Sequence, residues 1–284
     1  MPSRISTYLS FIRFSHTVFA LPFALSGALL AARSAPLTWG RVGWIILAMA
    51  TARTAAMGFN RIVDAGYDAK NPRTANRELP QGTMTKREAV ALVVISSTAF
   101  VGVTWMLGSI CFALSPVALA IVFWYSLAKR FTAYTQLFLG LAMAVAPVGG
   151  WLAAGGTWGW PPWLLAVGTA MWVAGFDILY ACEDIEFDRA QGLKSIPSRF
   201  GVATSLVISR VFHLIAVASL AAVALVVPLG QLYLVGVLGV GVLLVYEQSM
   251  VSTDDLSRVK QAFDLNGWVG ILYLMTTAGS LYVG

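Results

Sequence analysis

Nine runs of apolar residues, each long enough to cross a bilayer, dominate this chain and leave few alternatives to a bundle of membrane helices. Roughly 17–25 apolar residues span a hydrocarbon core as a helix, and inside lipid the backbone must satisfy its own hydrogen bonds. The runs lie at about 14–32, 42–62, 88–107, 110–128, 133–154, 163–182, 204–227, 231–248 and 267–283. Only 11% of the 284 residues are charged, against about 25% in a soluble domain, so a water-covered surface cannot be built. The expected fold is all-α and integral to the membrane, with nine transmembrane helices in a single membrane domain over 1–284. Connections near Gly108 and at Pro228-Leu229-Gly230 have room only for tight turns. The first run follows Arg4 and Arg13 and loosely imitates a signal peptide. Its length and the many similar runs after it lead us to expect a retained first span.

The charges fall on one side of this path. Apart from Arg33 and Arg41, every Lys and Arg lies at the N-terminus, in the connections 2–3, 4–5, 6–7 and 8–9, or at nearby helix ends. The positive-inside rule then puts the N-terminus and that face in the cytoplasm and the C-terminus outside. The net charge of +6 reflects this bias, and no nucleic-acid partner is expected. All thirteen acids map to the same face, whereas the opposite connection 154–161 carries no charge. One polar face suits an enzyme with a cytoplasmic mouth. A cation-coupled transporter, the reading from another class, needs polar groups on both faces. Two histidines exclude a His-rich metal site, and Cys111 and Cys182 read as small buried hydrophobes.

Two acidic clusters end spans two and six. Asn60, Asp64 and Asp68 recur every four residues and form one helical ridge, with Arg53 close to the same stripe. Asp177, Asp184 and Asp188 are spaced for one face of a second helix. Carboxylates this close repel one another and are costly near lipid. A divalent cation resolves both problems, and magnesium is held by one or two carboxylates together with substrate phosphates. The alternative is that the acids are solvated helix ends neutralised by neighbouring Arg and Lys. Basic residues do follow each cluster: Lys70, Arg73 and Arg77 after the first, Arg189, Lys194 and Arg199 after the second, and Lys129-Arg130 at the end of span four. Such cations can complete a cage around a diphosphate, or serve only as topology signals.

These motifs resemble the UbiA superfamily of intramembrane prenyltransferases, particularly its 4-hydroxybenzoate polyprenyltransferase branch. The resemblance rests on Asn60, Asp64 and Asp68 followed by the stretch Arg73 to Gly82, on Asp177 to Ser195, and on Tyr125 with Lys129-Arg130. Glu78 stands where the branch commonly has proline, and Phe59-Asn60-Arg61 replaces a more usual Asn-Asp pair. The resemblance implies two helical sub-bundles around a central cavity, a lateral opening for a lipid chain, and Mg2+ held by Asn60, Asp64, Asp68, Asp184 and Asp188. The implied partners are a polyprenyl diphosphate, a small aromatic acceptor and the lipid bilayer, in a bacterial inner membrane. The opening from Phe14 to Phe23 is similar to members of the futalosine route to menaquinone, whose acceptor would be 1,4-dihydroxy-6-naphthoate. Other ring acceptors, 4-hydroxybenzoate, haem or a chlorophyllide, stay open.

The expected chemistry is prenyl transfer through an allylic cation. Asp64, Asp68, Asp184 and Asp188 would hold the metal, and Asp177, deeper in its span, is a candidate base or phenol-orienting group. Arg73, Arg77, Lys129, Arg130 and Lys194 would meet the diphosphate. Arg53 or Arg130 would pair with an acceptor carboxylate. Tyr125 and Tyr180 would lie against the cation, or would simply pack with an interfacial hydroxyl. His16 in span one is either an acceptor contact or a hydrogen-bonded interface histidine.

Overall fold

The computed structural model describes residues 4–12, 17–32 and 36–283, and every regular element among them is helical. A short N-terminal helix α1 (Arg4–Phe11) is followed by α2 (Thr17–Ala31), α3 (Trp39–Asp68), α4 (Lys86–Leu107), α5 (Ser109–Ala128), α6 (Thr135–Ala153) and α7 (Trp160–Ala181). A 3-10 turn at Cys182–Asp184 and the short α8 (Ile185–Ala190) lead to α9 (Ile196–Val226), α10 (Gln231–Ser249) and α11 (Val259–Val283). Seven of these, α3 to α7, α9 and α10, are long and apolar enough to cross a membrane. Of the other two expected spans, the first is a shorter apolar helix over Phe19–Ala31. The last is α11, whose 25 residues include Lys260, Asp264 and Asn266. His16, Arg13 and Arg33 lie outside the described residues.

The helices form a ring in chain order. Each of α3, α4, α5, α6 and α7 packs on the next, α9 packs on α7 and α10, and α11 on α10. The ring is drawn together by α2, which packs against α6, α11 and α3. Outward faces carry bare apolar side chains such as Leu214, Leu225 and Val245, which a lipid environment accepts and water does not. Close approach inside the ring depends on missing side chains. A Cβ at Gly27 would strike the carbonyl of Pro147, and one at Gly150 that of Ala24, so α2 and α6 meet backbone to backbone. Small residues at such contacts are what membrane helices use to gain dispersion energy.

All four longer polar connections, 69–85, 129–134, 182–195 and 250–258, lie at one end of the bundle, because consecutive helices run up and down. Capping boxes set where two helices leave this end. Thr85 Oγ1 accepts from Glu88 N while Glu88 Oε2 accepts from Thr85 N, and Ser195 and Ser198 exchange the same pair of bonds. Each satisfies backbone donors that a helix start leaves without partners. Gly201, at φ 78°, breaks α9 just after its first turn, a conformation that glycine adopts without strain.

Two helical expectations need correction. The second acidic motif is not one continuous helix: α7 stops at Ala181, and Asp184 and Asp188 lie on the 3-10 turn and on α8. The helix expected at 204–227 starts at Ile196. Local polar residues, not the apolar run, decide these ends.

Candidate active site

The acids of α3 lie on one ridge, as their spacing predicts, and each is met by a cation. Asp64, nearly buried, accepts from Lys129 Nζ at 2.8 Å, Arg130 Nη2 at 3.0 Å and Asn60 Nδ2 at 3.2 Å. Arg130 also donates to the Val63 carbonyl at 2.7 Å, so α3 and the end of α5 are tied together beside this carboxylate. One turn on, Asp68 receives Arg77 Nη1 on both oxygens, at 2.7 and 2.8 Å. Charge-assisted bonds of this kind are the strong class.

The second cluster is met from the same connection. Arg73 donates through Nε to Asp184 Oδ1 at 3.2 Å, through Nη2 to Asp184 Oδ2, and through Nη1 to Tyr180 Oη at 2.5 Å. Its guanidinium also lies 5.0 Å from the Tyr180 ring centroid. Partial burial works against charge on Arg73, but the Asp184 carboxylate outweighs it and holds the guanidinium above its ordinary value. Asn71 Nδ2 adds a bond to Asp184 Oδ1 at 3.3 Å, and Ser195 Oγ donates to Asp188 Oδ2 at 3.0 Å. All four ion pairs among the described residues therefore join an acid of the two motifs to Arg73, Arg77, Lys129 or Arg130.

Beside these acids, and lined by Asn60 and Arg77 that bind two of them, opens a cavity of about 510 Å³ inside the helix ring. Arg77, Asn60, Asp177 and Tyr180 line its polar end. Further in, Arg53 and Tyr125 face it across the bundle, and beyond them the wall is apolar but for Thr104 and Ser115 as far as Leu107, Cys111 and Leu152. Along α5 the lining runs from Cys111 to Tyr125, a rise of roughly 21 Å at 1.5 Å per residue. The cavity thus traverses most of the bundle, charged at one end and lipid-like at the other.

Most of the site residues expected from the sequence come together here, with two exceptions. Lys194 is exposed and its Nζ donates to the Phe131 carbonyl at 3.2 Å, so it steadies the neighbouring connection and meets no acid. Asp177 lines the cavity and stands apart from the ion-paired carboxylates. Sequence reasoning missed Asn71, Ser195 as a partner of Asp188, and Tyr67, whose ring lies 5.8 Å from Lys129 Nζ and 5.4 Å from the Arg130 guanidinium carbon. Asn71 and Ser195 stand beside basic residues already singled out; Tyr67 gives no local signal.

The sequence model of the UbiA prenyltransferase family matches residues 20–271. The chain belongs to the UbiA prenyltransferase family. It is accordingly an enzyme, a prenyltransferase of the membrane. Its relatives include a protein of Vibrio campbellii named 4-hydroxybenzoate octaprenyltransferase, 30% identical over 87% of this chain and 86% of that one. A second with the same name, from Alkalilimnicola ehrlichii, is 29% identical over 84% and 81%. Among solved structures, the apo form of a UbiA homologue from Aeropyrum pernix superposes with a TM-score of 0.85 and 35% identity over 95% of this chain and 98% of that one. A UbiA homologue from Archaeoglobus fulgidus, bound to geranyl diphosphate and Mg2+, shares the fold at a TM-score of 0.72 and 19% identity, covering 96% and 100%.

The donor set suits the metal that some UbiA homologues carry. Every candidate ligand is an oxygen, which hard cations prefer. Among the described residues no three acids converge into a preformed site; instead the carboxylates are spread over two clusters, each already balanced by cations. That pattern fits an ion taking one or two carboxylates and completing its shell with phosphate oxygens, as magnesium does.

Proposed function

We propose that this enzyme transfers a polyprenyl group from its diphosphate to 1,4-dihydroxy-6-naphthoate or 4-hydroxybenzoate in quinone biosynthesis, with Mg2+ as cofactor. The observation that carries this reading is the set of four ion pairs, joining four cations to Asp64, Asp68 and Asp184, beside a long, mostly apolar cavity that also holds an arginine, a tyrosine and an aspartate. Asn60, Asp64, Asp68, Asp184 and Asp188 hold the metal, and Arg73, Arg77, Lys129 and Arg130 turn to the diphosphate. Bound there, Mg2+ supplies charge neutralisation for the departing diphosphate. The cationic side chains stabilise the same leaving group through hydrogen bonds.

The apolar wall lodges the prenyl chain, at about 0.8 kcal/mol per buried CH₂, and keeps water from the allylic carbon. Arg53, inside the cavity beside Tyr125, pairs with the acceptor's carboxylate. That pose leaves the acceptor's phenol near Asp177, which orients it or takes the ring proton. Tyr180 and Tyr125 line the space between the two substrates. Lys194 supports the diphosphate end from the adjoining connection. The polar mouth faces the cytoplasm of an inner membrane, with the N-terminus inside and the C-terminus outside, and residues 1–284 work as one membrane domain. Support for the naphthoate comes from the likeness of the opening motif to members of the futalosine route; of that motif's described residues, Phe19 and Ala20 line the cavity.

The test is prenyl transfer by purified protein in detergent, with one prenyl diphosphate, Mg2+ and both acceptors, and Asp64→Ala as control. Prenylated naphthoate that disappears in the variant supports the reading. Prenylated 4-hydroxybenzoate alone moves the enzyme to the other branch. No product from either acceptor rejects both.

A further inference from the structure

Helix α11 carries a polar group where a membrane helix can least accommodate one. Asn266 is fully buried, and its amide is bound on both sides. Oδ1 accepts from Trp172 Nε1 of α7 at 2.7 Å, and Nδ2 donates to Glu247 Oε1 of α10 at 3.0 Å. Glu247 is itself 1% exposed, and its second oxygen has no hydrogen-bond partner. An apolar trio would pack here at lower desolvation cost. What the polar trio adds is orientation: turning α11 by one residue, about 100°, would take Asn266 off both partners.

That orientation fixes the ring one turn earlier. Phe263 lies 5.0 Å from Tyr180, 5.5 Å from Phe176 and 5.3 Å from Phe19, centroid to centroid, the last two edge to face. Phe19 and Phe176 are themselves 6.1 Å apart. The four rings come from α2, α7 and α11, and all line the cavity at the level of Asp177. None but Tyr180 carries a group that could trap a carbocation. We propose that Phe263 is a catalytic residue that completes an aromatic wall against which the reacting allylic carbon lies, and that Asn266, clamped between Trp172 and Glu247, is the positioning residue that holds it there. This rests on the prenyl-transfer reading above.

The step balances simply. The allylic carbon–oxygen bond breaks with its electron pair leaving on the diphosphate. The positive charge spreads over the allyl system against the electron-rich aromatic wall. A ring carbon of the acceptor then supplies the pair for the new carbon–carbon bond, and its proton passes to the Asp177 carboxylate, which lines the cavity. Water must be kept from this wall meanwhile, or the cation ends as prenyl alcohol.

The experiment replaces Phe263 by 4-fluoro-, 3,5-difluoro- and 3,4,5-trifluorophenylalanine, nearly isosteric rings of falling face charge. Release of diphosphate from geranylgeranyl diphosphate is followed with Mg2+, with and without the aromatic acceptors. The expected result is a stepwise fall in kcat reaching about five- to twentyfold, with KM for the diphosphate within twofold. A flat series overturns the catalytic role. For the clamp, Asn266→Leu and Glu247→Leu are expected to raise the share of prenyl alcohol several-fold. Glu247→Gln, which keeps an oxygen for the Asn266 amide, is expected to restore the wild-type ratio. An unchanged alcohol share in both leucine variants overturns the positioning role. Diphosphate release without acceptor reads cation formation alone. A wrong acceptor therefore sinks the proposed function without touching this inference, and a flat series does the reverse.

Discussion

Arg73 grips Asp184 across 111 positions of sequence, with Nε and Nη2 on the two carboxylate oxygens and Nη1 on the Tyr180 hydroxyl. The connection after α3 is thereby fastened to the end of α7, and the second acidic motif is neutralised by a residue of the first motif's own loop. Arg77 does the same for Asp68, and Lys129 with Arg130 for Asp64.

Metal and diphosphate should therefore bind together. While the cations hold the carboxylates, a metal must displace them, and they have no other anion to turn to until a diphosphate arrives. Mg2+ alone is expected to raise the unfolding temperature little, and Mg2+ with inorganic pyrophosphate distinctly more than the sum of the two alone. Thermal unfolding in detergent checks this; a large shift with Mg2+ alone would contradict it. Chelation of the metal should abolish turnover and leave the helical content unchanged, as read by circular dichroism.

Arg73→Gln separates the two ligands. Freed of its guanidinium, Asp184 should bind Mn2+ several-fold more tightly in the absence of diphosphate. KM for the prenyl diphosphate should rise about tenfold or more, since a charge-assisted hydrogen bond contributes about 1.5–3 kcal/mol. Manganese titration by electron paramagnetic resonance and steady-state kinetics measure both. Equal losses on the two sides would show that Arg73 acts only as a structural fastener.

Asp64→Asn should lower kcat at least a thousandfold with the protein still folded. The amide keeps an oxygen for the Lys129 ammonium but loses the charge that two cations share. Activity within tenfold of wild type would remove Asp64 from the site.

Arg53→Leu should act on the acceptor alone. Its side chain faces the cavity well inside the mouth, away from the four ion pairs. KM for the carboxylated acceptor is expected to rise about tenfold or more, with KM for the prenyl diphosphate unchanged. A matching rise in both constants would place Arg53 elsewhere in the reaction.

Gly150→Val tests the frame. A Cβ at this position meets the Ala24 carbonyl, so α2 must move off α6. The expected loss is about 2 kcal/mol or more of stability, in the range for overpacking a close contact, measured as a lower unfolding temperature.

The amino-acid sequence by itself determined the helical membrane architecture, the one-sided distribution of charge and the ridge of Asn60, Asp64 and Asp68. Each is a local property: apolar length, loop composition and a four-residue repeat act on the chain wherever the helices later pack. Arg53 could be placed on the same stripe for that reason, and it does line the cavity. Tertiary structure decided which cation meets which acid, because Arg73 and Arg77 both follow the first motif closely along the chain, yet Arg73 reaches across to Asp184 of the second. The break of the second motif at Ala181 is local instead, set where the polar residues Glu183 and Asp184 leave the apolar helix for a 3-10 turn. Tertiary packing also made Phe263 part of the cavity wall and Asn266 its support. Nothing in α11 marks them, since their meaning comes from Trp172, Glu247 and Tyr180, which only the packing of two other helices, α7 and α10, brings within reach.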